Sequence, residues 1–249
     1  MDNLSLIIAS ALILIPVFIS YKESLELEKE IIISILRAVI QLIVVGHILD
    51  VIFKLEKSVY IIILVLIMII NAAVNTKKRG GYIKNTSVIS FLSILIGTSI
   101  TMTVLILSGV IEFTANEVIP VADMVVSNAM VAIGLIYRNL NNGFKNKKAE
   151  VEAKLSLGAD IKDASGDIIR ESIRISIIPS IDSAKTLGIV SLPGMMTGLI
   201  LAGTSPLIAI KFQIMVTFMI ISSSSIAVMF ATYLSYKYFF TKRKQLEQF

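Results

Sequence analysis

The chain has 249 residues, of which 55% are hydrophobic and 16% charged, and it contains no cysteine. A soluble domain of this size would need far more surface charge, and a chain without cysteine can build neither a disulfide framework nor a thiolate metal site. The formal net charge of +5 is explained by membrane topology, so we expect no nucleic-acid partner. The composition predicts an all-α, polytopic integral membrane protein of the cell's inner or plasma membrane, surrounded by lipid bilayer.

Seven apolar segments follow one another along the chain, most of them near the roughly 20 residues that a helix needs to cross a bilayer. They span residues 4–20, 31–53, 59–75, 87–108, 118–137, 177–202 and 208–236. The sixth contains Pro179 and Pro193, so it is either a full span or a broken, re-entrant segment. We expect residues 1–249 to form a single transmembrane domain of about seven helices.

Lysine and arginine are distributed unevenly between the connections. Most of them follow the first, third, fifth and seventh segments, whereas the remaining connections hold only Lys54 and Lys57, with Lys211 near an edge. Positively charged connections stay in the cytoplasm. This asymmetry places the N-terminus outside, and it places the C-terminus and the long polar interval 138–176 in the cytoplasm.

The interval 138–176 contains two short helical patterns that meet at a glycine. Residues 149–157 lack helix breakers, Gly158 can end a helix in the left-handed conformation, and Asp160 suits the N-cap of the next helix. One face of that second helix carries isoleucines 161, 168, 169 and 173. The pattern is compatible with a docking element for another protein, and equally with a solvated connection whose apolar edge rests on the membrane.

No stretch of the chain reads G-x-x-x-x-G-K-[ST], the loop that cradles nucleotide phosphates. We therefore expect the chain not to be an enzyme and to bind no cofactor itself. Any ATP and Mg²⁺ that drive it would be bound by a separate polypeptide.

Polar residues inside the apolar segments are candidates for a translocation path, because such residues are costly in a bilayer unless they are paired or face water. Arg37 and Gln41 lie one helical turn apart, as do Asn71 and Asn75. Arg37 could instead snorkel to the cytoplasmic surface, and the asparagines could hydrogen-bond between helices. His47, the single histidine, has no second imidazole or thiolate to form a metal site with.

The broken sixth segment supplies further path candidates, namely Asp182, Pro193, Met195 and Met196. Asp182 could pair with Lys185, three residues away. Asp182, Met195 and Met196 are also candidate metal contacts, although methionine in a span usually packs. Thioethers are soft ligands that favour Cu(I), whereas iron prefers oxygen or imidazole, so residue chemistry does not select iron as the cargo.

Several segments closely resemble the FetB-type iron-export ABC transporter permease family, which is related to plant aluminium-tolerance half-transporters. They are RAVIQLIVVG at 37–46, KLSLGA at 154–159, Ile178-Pro179, DSAKT at 182–186 and SLPGMM at 191–196. Glu152-Ala153, with Gly158 six residues after the glutamate, is similar to the EAA-type coupling loop of ABC permeases, in which a short helix enters a groove of the ATPase. Lys154 stands where that motif has a third alanine.

The resemblance implies a permease that pairs with a separate cytoplasmic ABC ATPase and expels iron, another metal ion or a metal complex. It also implies a homodimer and an ATPase-coupling site at Glu152, Ala153, Leu157 and Gly158. A secondary transporter driven by an ion gradient is the alternative; it would need acidic residues deep in the spans, for which Asp123 and Asp182 are the candidates. A membrane scaffold would leave the polar span positions without a role.

Overall fold

The computed structural model describes residues 10–55, 57–241 and 243–247. Apart from two isolated β-bridges, Leu187 with Ser191 and Phe240 with Leu246, the regular structure of these residues is helical. The prediction of an all-helical fold is confirmed. The chain forms two units, Met1–Glu56 and Lys57–Phe249, each described by itself below.

The described residues of the first unit form two α-helices. A 3₁₀ turn at Ala11–Ile13 leads into α1 (Leu14–Lys22), and α2 follows at Glu28–Leu55. The Ser20 hydroxyl ties the turn between them by donating to the Glu28 carboxylate (2.7 Å) and accepting from the Leu27 amide (3.0 Å). Positions 4–9 of the first predicted span lie outside the described residues.

The described residues of the second unit form seven α-helices, besides 3₁₀ helices at Lys77–Arg79 and Tyr236–Phe239. They are α3 (Ser58–Thr76), α4 (Thr86–Leu107), α5 (Ala115–Asn146), α6 (Lys148–Ser156), α7 (Ile161–Thr186), α8 (Gly194–Leu201) and α9 (Pro206–Ser235). In the described part of the chain, five helices are long and apolar enough to cross a membrane, namely α2, α3, α4, α5 and α9. They correspond to five of the seven predicted spans; the count of seven and the orientation stay predictions.

Helix α5 is the centre of the second unit and packs against α3, α4, α7 and α9. Its fully buried side chains include Val125, Ala129, Ile133, Ile136, Tyr137, Leu140 and Phe144. Helix α4 approaches α9 closely at Gly97, where a β-carbon would lie 3.1 Å from the Ser223 carbonyl oxygen. Small residues at such crossings let membrane helices pack closely without a hydrophobic driving force.

Hydroxyl groups connect three of these helices. Thr76 of α3 donates to Ser90 of α4 (2.6 Å), and the Ser90 hydroxyl lies 2.9 Å from the Tyr137 hydroxyl of α5. Asn71 and Asn75 are exposed instead, and the Asn75 amide donates to the Asn71 side-chain oxygen within α3 (3.0 Å). The expected hydrogen bonds between helices are therefore made by buried hydroxyls, not by the asparagines.

The polar interval 138–176 is not a loop. Helix α5 continues to Asn146, α6 follows after one residue, and α7 runs from Ile161 through the predicted boundary at 176 to Thr186. Ile161, Ile168 and Ile173 of α7 pack on the core around α5, and Ile168 and Ile169 are buried. The alternative that this apolar edge rests on the membrane is therefore wrong. The charged residues of the interval lie on exposed faces of helices that extend beyond their apolar segments.

The sixth predicted segment is broken. Pro179 lies inside α7 without ending it, but Leu187 adopts an extended conformation and the Val190 amide turns back to the Thr186 carbonyl (3.0 Å). Helix α8 then begins after Pro193 and is only eight residues long. Of the two interpretations of residues 177–202, the structure has the broken one.

Candidate coupling surface and translocation cavity

The junction of α6 and α7, residues 152–161, is called here the α6–α7 elbow. Gly158 has φ = +91°, as predicted for a left-handed residue that ends a helix. The Gly158 amide donates to the Leu155 carbonyl (3.0 Å) and the Ala159 amide to the Lys154 carbonyl (3.0 Å). These two bonds form a Schellman motif. Asp160 then occupies the N-cap of α7, also as predicted.

The predicted coupling residues are exposed together at this elbow. Leu157 is 89% exposed, and Glu152, Ala153 and Gly158 are exposed as well. The opposite side of α6 holds the helix in place, because Val151 is 1% exposed. The arrangement leaves a large apolar side chain exposed beside the turn, next to the other predicted coupling residues.

An ion-pair network attaches α6 to α7. The Lys154 ammonium contacts Glu150 (2.7 Å) and Asp167 (3.0 Å), and Arg170 contacts Asp167 (2.7 Å). Hydrogen bonds from Lys154 hold the pKa values of the Glu150 and Asp167 carboxyls below their usual range. Exposed pairs of this kind contribute little to stability, because water and salt screen the charges. Lys154, the departure from the EAA pattern, bridges α6 to α7, while the buried Val151 anchors α6 on the core.

The C-terminal tail, residues 236–247 apart from position 242, folds back beside the elbow. Its Phe239 and Leu246 are buried, and Phe239 stacks on Phe144 of α5 with ring centroids 4.3 Å apart. The Lys244 ammonium donates to the Asp160 carboxylate (2.9 Å), which lowers the pKa of Asp160.

Tail and elbow enclose a cleft of about 850 Å³, whose charged lining includes Lys148, Glu152, Arg243 and Lys244. Sequence reasoning used the tail only as a source of positive charge. The apolar residues interrupting that charge, Phe239, Phe240 and Leu246, were the signal that it packs on the protein.

The predicted path residues lie on separate elements. In the first unit, Arg37 and Gln41 are exposed on α2. In the second, Asp182 forms the predicted pair with Lys185 (2.9 Å) on an exposed part of α7, whereas Met195 and Met196 are half-buried on α8, which begins directly after Pro193. Among the described residues, no group of three or more His, Cys, Asp or Glu side chains could hold a metal ion.

A cavity of about 270 Å³ lies between α5, α7 and α9 and is called here the α5–α7–α9 cavity. Its polar lining consists of Asn128, Ser176, Ser180, Ser183, Gln213 and Thr217. Of the predicted path residues, Pro193 alone is among those that line it. The signal that sequence reasoning missed is Gln213 and Thr217, which are one turn apart in an apolar span, like the pairs that it selected.

Comparisons with known proteins cover nearly the whole chain. The model of the "Uncharacterised protein family (UPF0014)" matches residues 3–240. The chain is 50% identical over 244 residues to "Probable iron export permease protein FetB" of Escherichia coli K12, covering 98% of this chain and 94% of that protein. It is 40% identical to "Protein ALUMINUM SENSITIVE 3" of Arabidopsis thaliana, covering 96% and 88% of the two chains.

A third relative, "UPF0014 membrane protein YjkA" of Bacillus subtilis 168, is 36% identical and covers 100% of this chain and 99% of its own. No solved structure matches the chain. Together with the five apolar helices of the described residues, these relatives confirm the prediction of a multi-pass membrane protein and the resemblance found in the sequence.

Proposed function

The chain belongs to the UPF0014 family, and from that premise we propose that it is the membrane subunit of an ABC transporter that exports iron. The observation that carries this proposal is the 50% identity, over 98% of the chain, to a protein named a probable iron export permease. ATP and Mg²⁺ are bound and used by a separate cytoplasmic ATPase. The permease provides the path through the cell membrane, and two copies of it pair with two ATPases.

The α6–α7 elbow supports the ATPase part of the proposal. Leu157 is exposed at the turn while Val151 and the Lys154 network fix α6 against the unit. An exposed apolar side chain on a fixed helix can enter a partner's groove without losing much conformational entropy. A displacement of α6 is then transmitted to α7, and the C-terminal half of α7 lines the α5–α7–α9 cavity.

The test uses a strain that lacks both the permease and its candidate ATPase. Cells loaded with radioactive iron receive the permease alone, the ATPase alone, both, or both with the phosphate-binding lysine of the ATPase replaced by alanine. We expect iron efflux only with the two intact subunits. Efflux with the permease alone, abolished by a protonophore, would instead establish the gradient-driven alternative.

A further inference from the structure

The C-terminal tail and the α6–α7 elbow form the two walls of one cleft, called here the tail–elbow cleft. Glu152 and Gly158 line it on the elbow side, and Arg243 and Gln245 line it on the tail side. The exposed Leu157 precedes Gly158 at the turn. A protein that covers Leu157 therefore also lies over the cleft and meets the tail.

The tail wall is already ordered. The Thr241 amide donates to the Gln245 carbonyl (2.7 Å), and the Lys244 amide donates to the Thr241 carbonyl (2.9 Å). Phe239 and Leu246, on either side of this turn, are buried. A surface that is fixed before binding loses little conformational entropy when a partner arrives.

The charged residues of the cleft leave a surplus of positive charge. Asp160 pairs with Lys244 (2.9 Å), and Glu152 lies 3.8 Å from Lys148. These are the two acidic residues of the lining. The Arg243 side chain is exposed and forms no ion pair or hydrogen bond with another described residue. Its guanidinium is therefore left to pair with a carboxylate from outside the chain.

The position of the cleft favours a protein over a lipid as its occupant. Helix α7 packs against α5, and it runs from Ile161 at the elbow to Arg174, the last charged residue before the predicted apolar segment 177–202. At a rise of 1.5 Å per residue, this distance is about 20 Å. The headgroup layer on one side of a bilayer is only about 5–8 Å thick.

We propose that a carboxylate-bearing segment of the ATPase enters the tail–elbow cleft and pairs with Arg243, while the same subunit covers Leu157. This inference rests on the proposed function and adds the C-terminal tail to the coupling surface. Arginine binds a carboxylate through two parallel N–H···O bonds, which fix orientation as well as distance. The tail thus orients the ATPase on the elbow, and Leu157 supplies apolar contact.

The experiment measures binding of the purified candidate ATPase to the full-length permease in nanodiscs of phosphatidylcholine. We expect Arg243→Glu to raise the dissociation constant about tenfold, because attraction becomes repulsion. Arg243→Lys should raise it by a smaller factor, since the charge remains but the paired hydrogen bonds are lost. Lys237→Glu makes the same charge reversal on an exposed tail residue outside the cleft lining, and it should bind like the wild type.

Shielding of a single thiol gives a readout that does not depend on charge. The chain has no native cysteine, so the Gln245→Cys and Lys237→Cys variants each carry one reactive group. Adding the ATPase should slow the reaction of a maleimide with the Gln245→Cys variant about tenfold, because a protein interface excludes water. The Lys237→Cys variant should react at an unchanged rate.

Equal ATPase affinity in the wild type and the Arg243→Glu variant would overturn the proposal and leave the proposed function intact. Equal maleimide reactivity of the Gln245→Cys variant with and without the ATPase would do the same. The titration is repeated in nanodiscs that also contain the anionic lipid phosphatidylglycerol. An effect of Arg243→Glu seen only there would assign Arg243 to the membrane surface and overturn the proposal. A wild type that binds no ATPase would contradict the proposed function, and this inference with it.

Discussion

Leu155, on α6, and Leu157, at the C-cap of that helix, are two residues apart but have opposite surroundings. Leu155 is half-buried against the core, whereas Leu157 is 89% exposed. We predict that Leu157→Ala leaves the melting temperature of the purified permease unchanged and weakens co-purification of the ATPase about tenfold, a loss of roughly 1.4 kcal/mol. Leu155→Ala should lower the melting temperature, because truncating a packed leucine costs up to about 2–5 kcal/mol.

Circular dichroism is the suitable readout for melting, because the chain contains no tryptophan. If Leu157→Ala retains the ATPase as fully as the wild type, the exposed leucine is not a docking residue. If it lowers the melting temperature as much as Leu155→Ala does, its role is structural.

Gly158 is required for its backbone conformation and not for lack of space around it. Its φ is +91°, yet a β-carbon there would meet nothing within 4 Å. A β-branched residue opposes this conformation by roughly 1–2 kcal/mol, whereas asparagine tolerates it. We predict that Gly158→Val still inserts in the membrane but loses the ATPase and ATP-driven export, and that Gly158→Asn retains both. The measurement is co-purification beside iron efflux; normal export by the valine variant would mean that the elbow is a passive connector.

At the scale of the element, the tail is attached mainly by apolar burial. Phe239 and Leu246 are buried, whereas the Lys244–Asp160 pair is exposed. We predict that Leu246→Asp speeds hydrogen exchange of the Thr241 and Glu247 amides at least about tenfold, because it removes the burial that protects their bonds. Asp160→Asn should speed it no more than about fivefold, since water screens an exposed ion pair and leaves it little effect on stability. A larger effect from Asp160→Asn would reverse this ranking.

The pH dependence of the tail follows from the same pair. Hydrogen bonding from Lys244 lowers the pKa of Asp160, so the folded carboxyl loses its proton at a lower pH than the unfolded one, whose pKa is about 3.9. The contribution of the pair is therefore complete above the unfolded pKa and is lost as pH falls through the folded value. Protection of the tail, corrected for intrinsic exchange, should stay constant from about pH 8 to about pH 5.

Features that depend on residues close together in the sequence could be predicted, and features that depend on distant residues could not. Apolar length located five spans, and local backbone chemistry located the elbow, since Gly158 and Asp160 act on their immediate neighbours. The apolar residues of the tail indicate that it packs on the protein, but its partner could not be predicted, because Lys244 meets Asp160 across 84 positions. The cavity was missed for the same reason: Asn128 and Gln213 become neighbours only when α5 and α9 pack. The charged residues of the interval 138–176 suggested a loop, because α5 and α7 extend beyond their apolar parts into this interval.

On the scale of the second unit, its three positively charged parts, which follow α3, follow the apolar part of α5 and form the tail, meet at one end. Asn141 near the end of α5 donates to the Gly80 carbonyl (3.0 Å), and Lys84 lies 3.8 Å from Glu247 of the tail. Within this unit, the grouping agrees with the predicted location of these parts on one side of the membrane.

The lack of native cysteine makes a direct test of that side possible. We predict that Lys147→Cys, beside α6, reacts with an impermeant maleimide only after the cells are permeabilised, because positively charged connections stay in the cytoplasm. Val110→Cys lies just after the C-terminal end of α4, opposite to the end that follows Lys84. It should react with the maleimide in intact cells. Labelling in the reverse order would place the α6–α7 elbow outside, where no ATPase could reach it.

The most direct test of the permease assignment is iron transport in proteoliposomes that contain the purified chain and its ATPase. With ATP supplied outside, only complexes whose ATPases face outwards are active, and export from the cytoplasm corresponds to movement into the lumen. The account predicts that iron accumulates inside only when ATP and both subunits are present, and that the permease alone hydrolyses no ATP. Iron uptake driven by an ion gradient without the ATPase, or ATP hydrolysis with no movement of iron, would contradict it.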